Sequence, residues 1–135
     1  MSPGTVHYDI NAPLDPADVI ALFDVSGINR PTSDPARIAR MFAAPCLTIS
    51  ARVEGQLVGV CRALTDYAYC CYLSDIAVDR ARQGQGIGEA MLRLLRETVG
   101  DAVSIVLVSA PGAVDFYPKV GFASCDTAFI QRRLR

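Results

Sequence analysis

Alternating apolar and polar residues dominate the first part of the chain. In residues 5–10, the apolar side chains Val6, Tyr8 and Ile10 alternate with polar neighbours, a period of two that predicts a half-buried strand. Similar runs follow, two of them joined by a Glu54-Gly55 turn that predicts a hairpin. The strands predicted in this part are residues 5–10, 46–53, 57–64 and 69–78.

Three other segments repeat apolar residues at helical spacing. Asp15 as a cap, followed by Pro16, predicts the start of a first helix, and Gly27 predicts its end. The second predicted helix is capped by Ser33 or Asp34 and ends at Pro45. The third covers residues 86–98 and is stopped by Gly100.

The last third of the chain begins with a nearly continuous apolar run. Residues 102–108 are typical of a strand covered on both faces beside a crossover helix, and we expect it to pair parallel to the preceding strand. Residues 113–119 predict a short helix, and residues 122–125 and 128–132 predict two closing strands. The pattern predicts an α/β or α+β fold, with a mixed sheet of six or seven strands and about four helices.

Length and composition fit one globular domain. The 135 residues are 51% hydrophobic and 20% charged, with a formal net charge of −1, so we expect a single domain over residues 1–135. No charge block indicates a nucleic-acid partner, and no apolar stretch of about 20 residues indicates a membrane partner. The start of the chain lacks the pattern of a secretory signal, so we expect a soluble, cytoplasmic protein.

The five cysteines give no metal or disulfide pattern. They are irregularly spaced, at Cys46, Cys61, Cys70, Cys71 and Cys125, which fits neither a zinc site nor a disulfide framework. We therefore expect no metal and mostly buried, reduced thiols. A reactive nucleophile is the alternative, although no cysteine has an obvious histidine partner.

A glycine-rich turn separates the fourth predicted strand from the third helix. Gly84, Gly86 and Gly88 allow positive φ angles and close approach of an outside group, because no Cβ stands in the way. The unpaired amides and the dipole at the start of the following helix attract an anion. Arg80 and Arg82 add positive charge nearby. The turn therefore predicts a phosphate-binding site.

Spacing separates three phosphate-binding templates. A Walker loop requires Gly-Lys-Ser/Thr, and no lysine follows these glycines. A dinucleotide fingerprint, Gly-x-Gly-x-x-Gly directly after a strand, fits poorly, because Glu89 replaces its third glycine and five residues separate Val78 from Gly84. The template Gln/Arg-x-x-Gly-x-Gly/Ala is matched at each defined position by residues 83–88.

A second motif agrees with the third template. Residues 115–122, Asp-Phe-Tyr-Pro-Lys-Val-Gly-Phe, contain Phe-Tyr-x-Lys-x-Gly-Phe at the matching distance and order. Together the motifs resemble the GNAT superfamily of N-acetyltransferases, over roughly residues 46–125. The resemblance implies a mostly antiparallel sheet with one splayed parallel pair, between whose strands the pantetheine arm of acetyl-CoA enters.

The resemblance also implies which residues bind the co-substrate. The main chain of Ile76, Ala77 and Val78 would run beside pantetheine, with the Val78 amide available to the thioester carbonyl. The pyrophosphate would be held by the amides of Gln83, Gly84, Gln85, Gly86, Ile87, Gly88 and Glu89. The alternative is that the glycines only form a turn.

Two side chains are candidates for catalysis. By resemblance, Tyr117 would protonate the leaving thiolate, and the alternative is a packing aromatic beside Phe116 and Phe122. Asp75, next to the expected acyl site, is a candidate general base. The alternative for Asp75 is a structural carboxylate that caps a loop or pairs with an arginine.

The sequence departs from the family pattern at two positions. Gln83 replaces a frequent arginine, which weakens charge pairing with phosphate but leaves the backbone donors in place. Ala110 replaces a common asparagine, which puts one pantetheine contact in doubt.

These observations predict an enzyme that transfers acetyl from acetyl-CoA to a primary amine of a small molecule or a protein terminus. The alternative is a non-catalytic acyl-CoA-binding regulatory module. Tyr67, Tyr69 and Tyr72 would either wall the acceptor pocket or pack as ordinary strand aromatics. No motif identifies the acceptor. The sequence leaves the oligomeric state open; a homodimer is one alternative, because dimers are common in the family.

Overall fold

A computed structural model describes residues 4–135; residues 1–3, which the predicted domain includes, lie outside the described part. Five strands and three α-helices make up the fold, with order β1 (Val6–Ile10), α1 (Pro16–Ser26), α2 (Pro35–Ala43), β2 (Leu47–Val53), β3 (Gln56–Thr65), β4 (Cys70–Val78), α3 (Ile87–Val99) and β5 (Ser104–Leu107). The sheet order follows the chain, β1 to β5. The first four strands pair antiparallel, and β5 pairs parallel to β4, as the sequence predicts.

The helix ends follow local signals in the sequence. Asp15 accepts a hydrogen bond from the Ala17 amide at 2.9 Å, and Asp34 accepts one from the Arg37 amide at 3.1 Å, so both predicted caps are confirmed. Gly27 ends α1 with φ of 89°. The longest helix, α3, has 13 residues, and no helix within residues 4–135 is long and apolar enough to cross a membrane.

Helices cover the two faces of the sheet unequally. Met91 and Leu95 of α3 are fully buried against one face, together with Ile49 of β2. α1 and α2 pack on the other face, where Val19 and Ile38 are fully buried. The contacts of α1 with the sheet are to β3 and β4, so the β5 end of that face has no helix over it.

A β-bulge in β4 turns part of the strand over. Arg62 pairs with Asp75 and the next residue, Ala63, pairs with Leu73, so Ser74 is an extra residue on β4. Leu73 therefore faces the α3 side, whereas Asp75 faces α1 and α2.

The pairing of β4 with β5 ends just before the bulge. It covers only residues 70–73 of β4, opposite residues 104–107 of β5. Residues 74–78 continue as strand beside β3, with no partner on their other side among the described residues. The parallel pair is thus splayed, as the family resemblance implies.

Several predicted elements differ from the structure. Residues 122–125 and 128–132 form no strand, so the sheet has five strands and not six or seven. Phe122 packs on the core, but the apolar side chains after it are exposed, because no element covers them, and Phe129 is 97% exposed. The predicted helix over 113–119 is replaced by 3₁₀ turns at Pro111–Ala113 and Tyr117–Val120, since proline at position 118 removes a donor.

The prediction that residues 102–108 are covered on both faces is also wrong. Ile105 and Leu107 pack on the core under α3, but Val106 and Val108 are 53% and 54% exposed. α1 and α2 lie over β3 and β4 and leave the second face of β5 open.

We expect Leu95→Ala to lower the free energy of unfolding by about 2–5 kcal/mol, because it leaves a cavity where α3 packs on the sheet. Glu97→Ala, at an exposed position of the same helix, is the matched control and should stay within about 0.5 kcal/mol of the parent. Urea unfolding of both variants measures the difference. Equal effects in the two variants would contradict the packing described for α3.

Candidate active site

Beside residues 74–78 of β4, where β5 no longer pairs, the sheet has a gap, called here the opening. The edge of β4 that faces this opening presents main-chain groups from alternate residues. The Asp79 amide donates to the Val58 oxygen of β3 at 2.9 Å. In a strand, the main-chain amide and carbonyl of successive residues point alternately to one side and the other. The amide and carbonyl of Ala77 therefore face β3, whereas those of Ile76 and Val78 face the opening. Of the three residues predicted beside pantetheine, Ile76 and Val78 offer main-chain groups to that space.

The glycine turn follows this edge directly. Gly84 and Gly86 have φ angles of 83° and 84°, which favour glycine because a Cβ would crowd the backbone. α3 has no side-chain cap, and the first bond of the helix runs from the Ala90 amide to the Gly86 oxygen at 3.0 Å. Within residues 4–135, the amides of residues 84–89 donate no hydrogen bond. These free donors at a helix N-terminus suit an anion.

Gly88 has a different role from its neighbours. It lies in the first turn of α3 without a positive φ, so the prediction of a left-handed backbone holds for two of the three glycines. A Cβ on Gly88 would lie 3.8 Å from the Phe116 ring and 3.9 Å from a Val78 methyl group, which is ordinary contact. A side chain larger than a methyl group would enter the space between the turn and the opening.

Gln83 is exposed, but two side-chain hydrogen bonds hold it to the main chain. Its side-chain amide donates to the Val78 oxygen at 3.0 Å and to the Ser26 oxygen at 3.2 Å. Its backbone amide donates to the Arg80 oxygen at 3.4 Å. Gln83 therefore ties the glycine turn to the ends of β4 and α1, and the amides of residues 84–89 remain as the free donors.

Tyr117 lies beside β5. Its ring makes edge contacts with Phe116 and Phe122, at centroid distances of 5.2 and 5.7 Å. Burial, with a smaller contribution from the nearby Cys61 thiol, raises the pKa of Tyr117 above its usual 10.0. The phenol is therefore protonated at neutral pH and can donate a proton.

Tyr117 lies on the same side of the sheet as the open part of β4. Its side chain packs against the core beneath α3, as do those of Ile76 and Val78. Tyr117 also lines a cleft of about 280 Å³ together with Leu107 and Phe122. A second cleft, of about 270 Å³, lies between α1 and the turn from β2 to β3 and does not include these residues. Packing contacts and a donor role are compatible for Tyr117.

Asp75 is bound on both carboxylate oxygens. Its side chain is fully buried, and it accepts hydrogen bonds from Arg30 Nε and from Arg62 Nε, the latter at 2.5 Å. Two guanidinium groups thus compensate one buried carboxylate. This arrangement favours the structural alternative that the sequence left open for Asp75.

Arg62 holds this ion pair against α2. It donates to the Met41 oxygen at 3.3 Å and to Ser74 Oγ at 3.0 Å, and its guanidinium lies 5.4 Å from the centre of the Phe42 ring. Arg62 was not predicted as a site residue from the sequence. A charged residue inside an apolar strand was the available signal, since a buried charge needs a partner.

The three tyrosines do not pack in the core. Tyr67, Tyr69 and Tyr72 are 52%, 79% and 42% exposed. Tyr72 pairs with Leu64 on β3 and with Val106 on β5, and these three side chains are exposed and lie outside the core beneath α3. Leu64, Tyr72 and Val106, called here the apolar row, lie on the part of the sheet that α1 and α2 leave uncovered.

The loop before β4 is held by one carboxylate. Asp66 accepts hydrogen bonds from the amides of Ala68, Tyr69 and Cys70 at 2.8–3.1 Å, which lowers the pKa of Asp66 to about 2. The exposed tyrosines therefore extend from an ordered loop.

We expect Asp75→Ala to lower the free energy of unfolding by about 3–5 kcal/mol, because Arg62 would keep its buried charge without a partner. Asp24→Ala, at an exposed position of α1, is the control and should change it by no more than about 0.5 kcal/mol. Urea unfolding at neutral pH measures both. A loss below about 1 kcal/mol for Asp75→Ala would show that the ion pair is not structural.

Comparison with curated proteins gives partial matches. A histone acetyltransferase of Glycine max is 36% identical over 71 residues, which are 51% of this chain and 31% of that protein. A chloroplastic N-acetyltransferase of Arabidopsis thaliana is 36% identical over 74 residues, 51% of this chain and 28% of that protein. The match to each thus spans less than a third of the relative's length.

Solved structures share the fold along nearly the whole chain. A probable acetyltransferase from Staphylococcus aureus matches 97% of this chain and 99% of its own, with TM-score 0.81 and 20% identity. A putative acetyltransferase from Deinococcus radiodurans matches 94% of this chain and 88% of its own, with TM-score 0.76 and 22% identity. At this identity the likeness concerns the fold.

The family comparison covers most of the chain. The model of the acetyltransferase (GNAT) family matches residues 18–122. That span includes the splayed strands, the glycine turn and Tyr117, and it confirms the resemblance noted in the two motifs. The chain belongs to the GNAT family of acetyltransferases.

Proposed function

We propose that the chain transfers acetyl from acetyl-CoA to a primary amine of a small molecule or a protein terminus. The observation that carries this proposal is the run of free amides at residues 84–89, directly beside the opened edge of β4. A pyrophosphate fits this turn, because its charge would satisfy donors that the protein leaves unpaired. A pantetheine chain, with its own amides, fits the main-chain groups of Ile76 and Val78.

Transfer requires a new C–N bond and the loss of the C–S bond. We assign the Val78 amide to the thioester carbonyl oxygen, where it would stabilise the negative charge that develops as the amine attacks. The Val78 carbonyl oxygen already accepts from Gln83, which fixes the orientation of this stretch of chain. When the C–S bond breaks, the Tyr117 phenol would give its proton to the departing thiolate. The proton that the attacking nitrogen loses would pass to solvent, and Tyr117 would regain a proton from solvent, so that the products are the amide and the free thiol.

The acceptor would enter from the face of the sheet opposite α3. The apolar row and Arg30 lie on that face, and α3 with the glycine turn occupies the other. The amine must be neutral to attack. Both oxygens of Asp75 are bound to arginines, so we assign Asp75 to the positioning of Arg30 and Arg62 and not to proton removal.

A non-catalytic acyl-CoA-binding module remains the competing function. Release of free thiol from acetyl-CoA across an amine panel separates the two. Amine-dependent thiol release supports the enzyme, and binding of acetyl-CoA without release supports the module.

We expect Gly86→Ala to weaken coenzyme A binding by about tenfold or more, because the side chain forces the turn out of its left-handed conformation and misdirects the free amides. Gly100→Ala is a matched control: Gly100 has φ of 85° at the other end of α3, and a Cβ at either position has nothing within 4 Å. Calorimetry should show parental affinity for the control. Equal affinity losses in both variants would contradict the assignment of the turn.

We expect Tyr117→Phe to lower kcat by about 100-fold, because only the proton donor is removed. Acetyl-CoA affinity and thermal stability should change little, since the ring contacts remain. Burial raises the pKa of Tyr117, so the parent should keep its donor throughout neutral and mildly alkaline pH. Tyr8→Phe, on β1, is the control and should have parental kcat. A kcat for Tyr117→Phe within about threefold of the parent would show that another group protonates the thiolate.

A further inference from the structure

Arg30 reaches the opening from the loop between α1 and α2. Its Nη2 donates to the Ser74 oxygen at 2.6 Å, and its Nη1 donates to the Asn29 oxygen at 2.7 Å. Its Nε is bound to Asp75. The guanidinium is therefore fixed against the bulge of β4, at the residue where β5 stops pairing with that strand.

The ion-pair cluster carries surplus positive charge. Two guanidinium groups, on Arg30 and Arg62, face one carboxylate, on Asp75. The side chain of Arg62 is only 9% exposed, whereas that of Arg30 is 27% exposed. An outside group can therefore meet the surplus charge only at Arg30.

Arg30 also retains donors. A guanidinium has five N–H groups, and hydrogen bonds to Asp75, Asn29 and Ser74 use three of them. The structure gives no further hydrogen bond to Arg30 within residues 4–135. The two remaining N–H groups suit a planar anion such as a carboxylate.

The surroundings of Arg30 separate it from the glycine turn. Ser74 lies four residues before Val78, about 13 Å along a strand, and the turn comes later still. The apolar row of Leu64, Tyr72 and Val106 begins two residues from Ser74 on the same face. A molecule on this face would thus meet apolar side chains and one fixed cationic group, whereas the phosphates would meet the turn.

We propose that Arg30 binds a negatively charged group of the acceptor, so that the preferred acceptors are amines that also carry a carboxylate. The inference rests on the proposed function, because it names the substrate class of the same site. Asp75 is the positioning residue that holds Arg30 in place. The apolar row would contact the non-polar part of such an acceptor.

Matched acceptor pairs test this proposal. The kcat/KM for acetylation is measured for 6-aminohexanoate and 6-aminohexanamide, and for longer ω-amino acids and their carboxamides, with the parent and Arg30→Gln. Comparing variant with parent for each compound cancels the intrinsic difference in amine reactivity within a pair. Arg40→Gln, on the exposed side of α2, is the matched control, and Arg30→Lys keeps the charge.

Arg30→Gln should lower kcat/KM for the carboxylates by about tenfold to a hundredfold, the range for a hydrogen bond to a charged group. The carboxamides should change by less than about threefold. Arg30→Lys should recover part of the loss, and Arg40→Gln should match the parent. Equal losses for carboxylates and carboxamides, or no loss for the carboxylates, would overturn the proposal.

A binding measurement separates this proposal from the proposed function. 6-Acetamidohexanoate and 6-acetamidohexanamide are titrated by calorimetry into the parent and Arg30→Gln, each saturated with coenzyme A. If the parent binds the carboxylate more tightly than the carboxamide, and Arg30→Gln loses this difference, the proposal for Arg30 is supported. That result would stand even if no amine were acetylated, which would refute the proposed transferase. Absence of any preference for the carboxylate in the parent overturns it.

Discussion

The loss of pairing on one side of β4 is the constraint on which the rest of the site depends. A strand inside a sheet normally uses its main-chain groups on both sides, and an open side needs another partner. Here Ser74 is taken by Arg30 and Val78 by Gln83, so two side chains from outside the sheet bind carbonyl groups along the gap. The intervening main chain is left for a ligand of similar hydrogen-bonding character.

The bulge at Ser74 changes which face of the sheet the side chains of β4 point to. Before it, β4 contributes Leu73 to the core beneath α3; after it, the strand turns Asp75 to the opposite face. If strict alternation continued through Ser74, Asp75 would lie on the same face as Leu73, in the apolar core beneath α3, and would lose its arginines. One inserted residue therefore separates the side of the phosphates from the side that we assign to the acceptor.

Local signals account for the parts of the structure that the sequence predicted well. Asp15 with Pro16, and the glycines at 84 and 86, act within a few residues of themselves, so their effects could be recognised from spacing. An arginine partner for Asp75 was one of the alternatives, but the sequence could not identify Arg30, because it is 45 residues away and its contact depends on a loop conformation. The closing strands failed for a related reason: alternation around Phe129 predicts a strand only where another strand or a core is available to pair with it.

The uncovered face of β4 and β5 affects how the protein tolerates change. Leu64, Tyr72 and Val106 are exposed and lie outside both core clusters, so substitutions there should alter the free energy of unfolding by only about 0.5 kcal/mol. The glycine turn and α3 are on the opposite side and would be unaffected. If the acceptor binds this face, as we propose, new acceptor preferences can be engineered, or can evolve, by changing surface side chains without altering the residues that we assign to the thioester.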